Sequence, residues 1–167
     1  DMTQTDFYTI LPASLLTIWA CLLLLVDVFI KKEGKGLTAL LAVVGLALTM
    51  GVSLTQMGST STGFNGMVVL DGFSIFLNIL FLLTGLFGVA VAKDYLHRMG
   101  WNKGEYYILM LFSVAGMMLM AQATDMIISF LALELLSIPL YVLAAFAVGR
   151  SESEEAGIKY FLLGSYA

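Results

Sequence analysis

Glu134 and Lys159 are ionisable side chains set inside apolar sequence, where a charge is expensive. Glu134 lies in Ile127-Ile128-Ser129-Phe130-Leu131-Ala132-Leu133-Glu134-Leu135-Leu136, nine residues into its apolar run. At ~1.5 Å per residue this is ~13.5 Å deep, near the middle of a bilayer. An acidic group there costs roughly 2.5–3.5 kcal/mol on insertion scales, so it must face protein or water, and a functional role is the default expectation. Burial in general favours a neutral acid and a neighbouring cation favours the carboxylate, so a moving partner can make such a group take or release a proton. Pro139 cannot donate to the carbonyl of Leu135 and is expected to kink the helix beside the acid, freeing that carbonyl for water. Ser137 and Tyr141 follow Glu134 on the same helical face and add hydroxyls to a hydrated strip. The competing expectation is that Glu134 only bonds a neighbouring helix as packing glue.

Lys159 follows Glu155 by four residues, the favourable order for a helical ion pair. It can snorkel to the headgroups or act as a relay lysine tuned by a carboxylate on a neighbouring helix, and its position alone does not choose. Asp27 precedes Lys31 by four residues, so a helix-end pair is expected there. His97, among Lys93, Asp94 and Arg98, is expected to be solvated in a loop, since one histidine without companions makes no metal site. Cys21 has no second cysteine, which leaves inert packing. Met117, Met118 and Met120 fit irregular gaps between helices. Gly45, Gly85, Gly88 and Gly116 mark close helix approach.

The elements that must position these groups are membrane helices. Hydrophobic residues make up 60% of the 167 and charged ones 12%, with a mean hydropathy of +0.95, far from the balance of a soluble domain. Apolar runs of roughly 20 residues broken by short polar patches define an all-α, polytopic transmembrane bundle. The net charge of −4 sits in loops and termini and excludes a nucleic-acid partner. Spans are predicted at Thr9 to Ile30, Leu37 to Met57, Leu70 to Ala92, Glu105 to Gln122 and Asp125 to Val148, with a sixth opening near Glu155. A short hairpin is expected within 58–72, where Met67-Val68-Val69-Leu70 is framed by Asn65-Gly66 and Asp71-Gly72. Residues 1–167 read as one portion of a larger membrane domain, with no soluble domain. The sequence starts at Asp1 and stops at Ala167 within an apolar run, so it is expected to be an incomplete piece. Lys31, Lys32 and Lys35, then Lys93, Arg98 and Lys103, then Arg150 follow the odd spans. Seven of the eight basic residues thus place the N-terminus on the periplasmic side.

The stretch LALELLSIPLYVLAAF (131–146), followed by ESEEAGIKYFLLGSYA (152–167), closely resembles subunit N of bacterial NADH-quinone oxidoreductase, respiratory complex I. FNGMVVLDGFSIFLNILFLL (64–83) resembles the third span of the same family. The sister subunits L and M and the Mrp cation/proton antiporters are less similar, because their corresponding glutamate follows tryptophan, whereas Leu133 stands here. The resemblance implies a proton-pumping subunit of about fourteen helices with an antiporter-like fold, in the bacterial inner membrane. It implies that Glu134 is the fifth-helix glutamate and Lys159 the sixth-helix lysine of proton translocation, with further ionisable groups on later helices. It further implies no cofactor in this chain; NADH, FMN, iron-sulfur clusters and quinone belong to partner subunits. The implied partners are other membrane-arm subunits, among them subunit M and small ones such as K, and the lipid bilayer. The expected function is therefore coupling of distant electron transfer to proton movement, in a translocase subunit without a catalytic redox site of its own. The alternatives are an Mrp-type cation/proton antiporter subunit and a purely structural membrane-arm subunit.

Overall fold

The computed structural model describes residues 3–167. Six α-helices follow one another: α1 (Gln4–Phe29), α2 (Lys35–Thr55), α3 (Gly72–Met99), α4 (Glu105–Gln122), α5 (Met126–Ala144) and α6 (Ser151–Tyr166). The first five are long and apolar enough to cross a membrane. Their starts are fixed by local side chains. Thr3 and Asp6 form a capping box on α1, Asp71 and Ser74 one on α3, and the Asp125 carboxylate accepts from the Ile127 amide on α5. The expected hairpin is present: β1 (Ser61–Gly63) pairs antiparallel with β2 (Val68–Leu70), with Ser61 opposite Leu70. Its turn uses left-handed backbone at Phe64, Asn65 and Gly66.

Packing makes α4 the central helix, in contact with α1, α3 and α5, while α6 leans on α5. The buried stripe of α1, Thr9, Pro12, Ala13, Leu16, Ala20, Leu23 and Asp27, repeats at helical spacing. All four glycines expected at close approaches are there. A Cβ on Gly45 would strike the Trp19 ring, one on Gly85 would press on Leu46 and Val114, one on Gly88 on Met110, and one on Gly116 on the backbone of Leu135 and Leu136.

Pro12 organises the hairpin end of the bundle. It has no amide hydrogen, so the carbonyl of Tyr8, four residues earlier, lacks its helical donor. The Gln56 side chain, just past α2, donates to that carbonyl at 2.8 Å, and Gln122, the last residue of α4, donates to the Thr9 carbonyl at 2.7 Å. Both glutamines are fully buried. The two carbonyls at the proline are thereby satisfied by neighbouring helices.

Several expectations need correction. Helix α3 does not stop at Ala92 but runs to Met99, where Gly100 takes left-handed backbone (φ 69°). Nothing between Ala92 and Met99 breaks a helix, Leu96 is buried, and Asp94 pairs with Arg98 one turn on. Lys93 and His97 are therefore helical. Helix α5 ends at Ala144 although the apolar run continues to Val148, and α6 starts at Ser151 rather than near Glu155. Cys21 is exposed on the outer face of α1, because the inward stripe passes through Ala20 instead. Met118 is buried as expected and Met117 half-buried, but Met120 faces outward.

Candidate functional site

Glu134 is carried by α5, a helix whose only fully buried positions are Ala132 and Pro139. Its side chain is half-buried, and among the described residues it forms no ion pair. The helix is unbroken across Pro139. Two residues beyond the acid, Leu136 lies so close to Gly116 of α4 that a Cβ there would come within 2.5 Å of the Leu136 nitrogen. This backbone contact fixes the height of Glu134 against the central helix.

The face of α5 that carries Glu134 also carries Tyr141, two turns further on. Tyr141 is not part of an open hydroxyl strip. Its ring meets Tyr160 edge-on at 4.8 Å between centroids and Phe161 at 5.7 Å, and its hydroxyl lies against Gly164. Ala145 packs on Gly157. These contacts set the antiparallel register of α5 and α6. Counting along it, Glu134 is level with the end of α6 and Lys159 is level with Leu143, about 13 Å away along the axis at ~1.5 Å per residue. Glu134 and Lys159 therefore do not form a pair.

Lys159 instead binds Glu155, the i,i+4 partner expected from the sequence; the side chains are 68% and 62% exposed. Exposed pairs of this kind contribute about 0–1 kcal/mol. Glu155→Gln is accordingly expected to leave the melting temperature of the assembled protein within about 4 °C of wild type. Ser137 is half-buried on the same helix as Glu134.

The most buried charge lies elsewhere. Asp27, 3% exposed, does not pair with Lys31, which stands beyond the end of α1 at Phe29 and so has no helical neighbour relation to it. Its partner is Lys35, the first residue of α2, at 2.8 Å. The same ammonium donates to the Asp27 carbonyl at 2.8 Å, and the Thr38 hydroxyl donates to the carboxylate at 2.5 Å. Gly104 packs directly on that carboxylate. An Asp near a helix end followed by three lysines was the available signal, but only the connection between α1 and α2 decides which lysine folds back.

The seven basic residues other than Lys159 collect at the end of the bundle opposite the hairpin, at or near the α1–α2, α3–α4 and α5–α6 connections. There Lys103 lies over the Phe146 ring and Arg150 over Trp101. A cleft of about 990 Å³ opens at this end, with Lys32, Lys35, Lys103, Tyr141 and Phe161 in its walls. Glu134 is not among them.

A mainly helical bundle with five apolar spans, and an acid half-buried in the fifth helix, defines a polytopic membrane protein. Residues 123–167, which hold both Glu134 and Lys159, match the family model described as NADH:quinone oxidoreductase/Mrp antiporter, TM. The chain is 46% identical over 163 residues to NADH-quinone oxidoreductase subunit N of Chloroflexus aggregans, covering 97% of this chain and 33% of that protein. It is 44% identical over 158 residues to the subunit N of Trichlorobacter lovleyi, covering 95% and 32%. Among solved structures it is similar to a chain of respiratory complex I from Thermus thermophilus with bound aureothin, at a TM-score of 0.77 and 30% identity, covering 93% of this chain and 33% of that one. Over nearly its whole length the chain is thus homologous to subunit N of NADH-quinone oxidoreductase, a multi-pass protein of the bacterial inner membrane. It spans about a third of the length of these relatives.

Proposed function

We propose that this chain is part of a proton-translocating membrane subunit of NADH-quinone oxidoreductase, in which Glu134 alternates between a lysine-paired carboxylate and a proton-bearing acid. The observation that carries this is Glu134 itself: a half-buried carboxylate in the middle of an apolar helix, inside the segment matched by the antiporter family model, with no cation paired to it among the described residues. An intramembrane acid without a structural partner is a group free to exchange its proton. Lys159 is proposed as a relay group rather than the direct partner, because the α5–α6 register separates the two. The facing lysine is assigned to the portion of the relatives' length outside the match. Pro139 and Ser137 keep the backbone and solvation near the acid polar, while Tyr141 anchors α5 to α6.

Residues 1–167 form one membrane portion with its N-terminus periplasmic, a topology supported by the basic residues gathered at the opposite end of the bundle. NADH, FMN, iron-sulfur clusters and quinone are assigned to partner subunits, and the membrane neighbours include antiporter-like subunit M and small subunits such as K.

The test is Glu134→Gln in the assembled complex, reconstituted in vesicles. Proton uptake per NADH oxidised is expected to fall clearly below wild type, since a carrier that cannot ionise cannot pass its proton on. Wild-type pumping by a fully assembled variant would defeat the proposal. Reduced assembly with normal pumping per complex would indicate a structural subunit. Sodium-dependent proton exchange without any electron donor would indicate an Mrp-type antiporter.

A further inference from the structure

The hairpin end of the bundle holds a second polar layer that the proposed proton site does not use. Asn78 on α3 is fully buried, and both ends of its amide lack a hydrogen-bond partner among the described residues. Ser53 on α2 is equally buried, and its hydroxyl is unpartnered. Thr49, one turn earlier, donates back to the Gly45 carbonyl at 2.8 Å, which Ser53 does not imitate. Gln56 and Gln122 each use their amide hydrogens on α1, and each is left with an unpartnered side-chain oxygen.

Helix register brings these groups to one level. Leu46 packs against Gly85, and counting seven residues along the antiparallel α2 and α3 sets Ser53 opposite Asn78. Val114 also packs on Gly85, and counting eight residues along α3 and α4 sets Gln122 beside residue 77. Gln56 is one turn from Ser53, and Gln56 and Gln122 reach successive carbonyls of α1. The five orphaned atoms therefore lie at about one level inside the bundle of α1, α2, α3 and α4. Buried polar atoms in folded proteins are satisfied by protein or by ordered water. The set combines acceptors with the Asn78 amide donor, and no carboxylate is buried with it, which suits water and opposes a cation.

We infer that α1–α4 enclose a built hydration site, holding about two ordered water molecules at roughly three hydrogen bonds each, bound by Asn78, Ser53, Gln56 and Gln122. Hydroxyl groups stand between it and the hairpin end. From the hairpin end, Tyr8 meets Ser59 at 3.1 Å and the buried Thr9 meets Ser61 at 2.9 Å, just above the glutamines. The waters link α2 and α3, through Ser53 and Asn78, to the two glutamines that hold α1 at Pro12.

Cryo-electron microscopy of the assembled complex, at a resolution that shows solvent, tests this. Density is expected within hydrogen-bond distance of both ends of the Asn78 amide and of the Gln56 and Gln122 oxygens. Direct bonding of the four side chains to one another, with nothing between them, would overturn the site. So would a single peak ringed by oxygens at metal-coordination distances whose strength follows sodium concentration. Asn78→Leu is expected to remove at least one of the waters. If that variant does not assemble, Ser53→Ala is expected to remove the water at the serine while keeping the fold; an unchanged solvent pattern in the variant that assembles would likewise refute the site.

Discussion

Lys35→Met is expected to destabilise the assembled protein by about 3–5 kcal/mol, because it leaves a buried carboxylate without its counter-ion. The Asp27 side chain is 4% exposed, and besides the lysine it receives, among the described residues, only the Thr38 hydroxyl. The methionine replaces the stem of the lysine but none of its three donors. Asp27→Asn combined with Lys35→Met should restore at least half of the loss, since the neutral amide no longer requires a cation and its oxygen can still accept from Thr38. Thermal melting of the purified complex compares single and double variants. Equal melting temperatures for wild type and Lys35→Met would show that water, rather than the lysine, neutralises Asp27.

Gly116→Ala is expected to cost about 2–3 kcal/mol, at the upper part of the range for overpacking a helix contact. The new methyl would lie 2.5 Å from the Leu136 nitrogen and 2.8 Å from the Leu135 carbonyl carbon. Backbone cannot step aside as a side chain does, so α5 must move off α4 and take Glu134 with it. Gly88→Ala is the internal comparison, because there the methyl meets only the flexible end of Met110. Gly51→Ala is the opposite control: nothing lies within 4 Å of the added carbon, and removing a mid-helix glycine stabilises by up to about 1 kcal/mol. Proton pumping in vesicles should fall with Gly116→Ala and not with the other two.

These two sites also show where sequence stops being informative. The bounds of α4 were legible because Glu105 and Gln122 frame an unbroken apolar run. The end of α5 was not, because hydropathy reports what can sit in lipid and not what the backbone does; Ala145 to Val148 are apolar yet non-helical, before left-handed Gly149. Glu134 was identifiable from its cost alone. Its separation from Lys159 was not, because it depends on how Tyr141 and Ala145 key into α6, a relation between helices that spacing within either one cannot encode. The choice of Lys35 over Lys31 likewise follows from where the chain turns. The glutamines at Pro12 had a readable signal that the apolar pattern obscured: a proline inside a span strips a donor from the carbonyl four residues back, and something polar must replace it.

Helix α3 is 28 residues long, about 42 Å at 1.5 Å per residue, against a hydrocarbon thickness of about 30 Å. At the common tilt of about 20° it still spans about 39 Å, so its charged last turns, with Asp94, His97 and Arg98, stand clear of the acyl region. A load applied at that end is carried along a single unbroken helix to the hairpin on the other side.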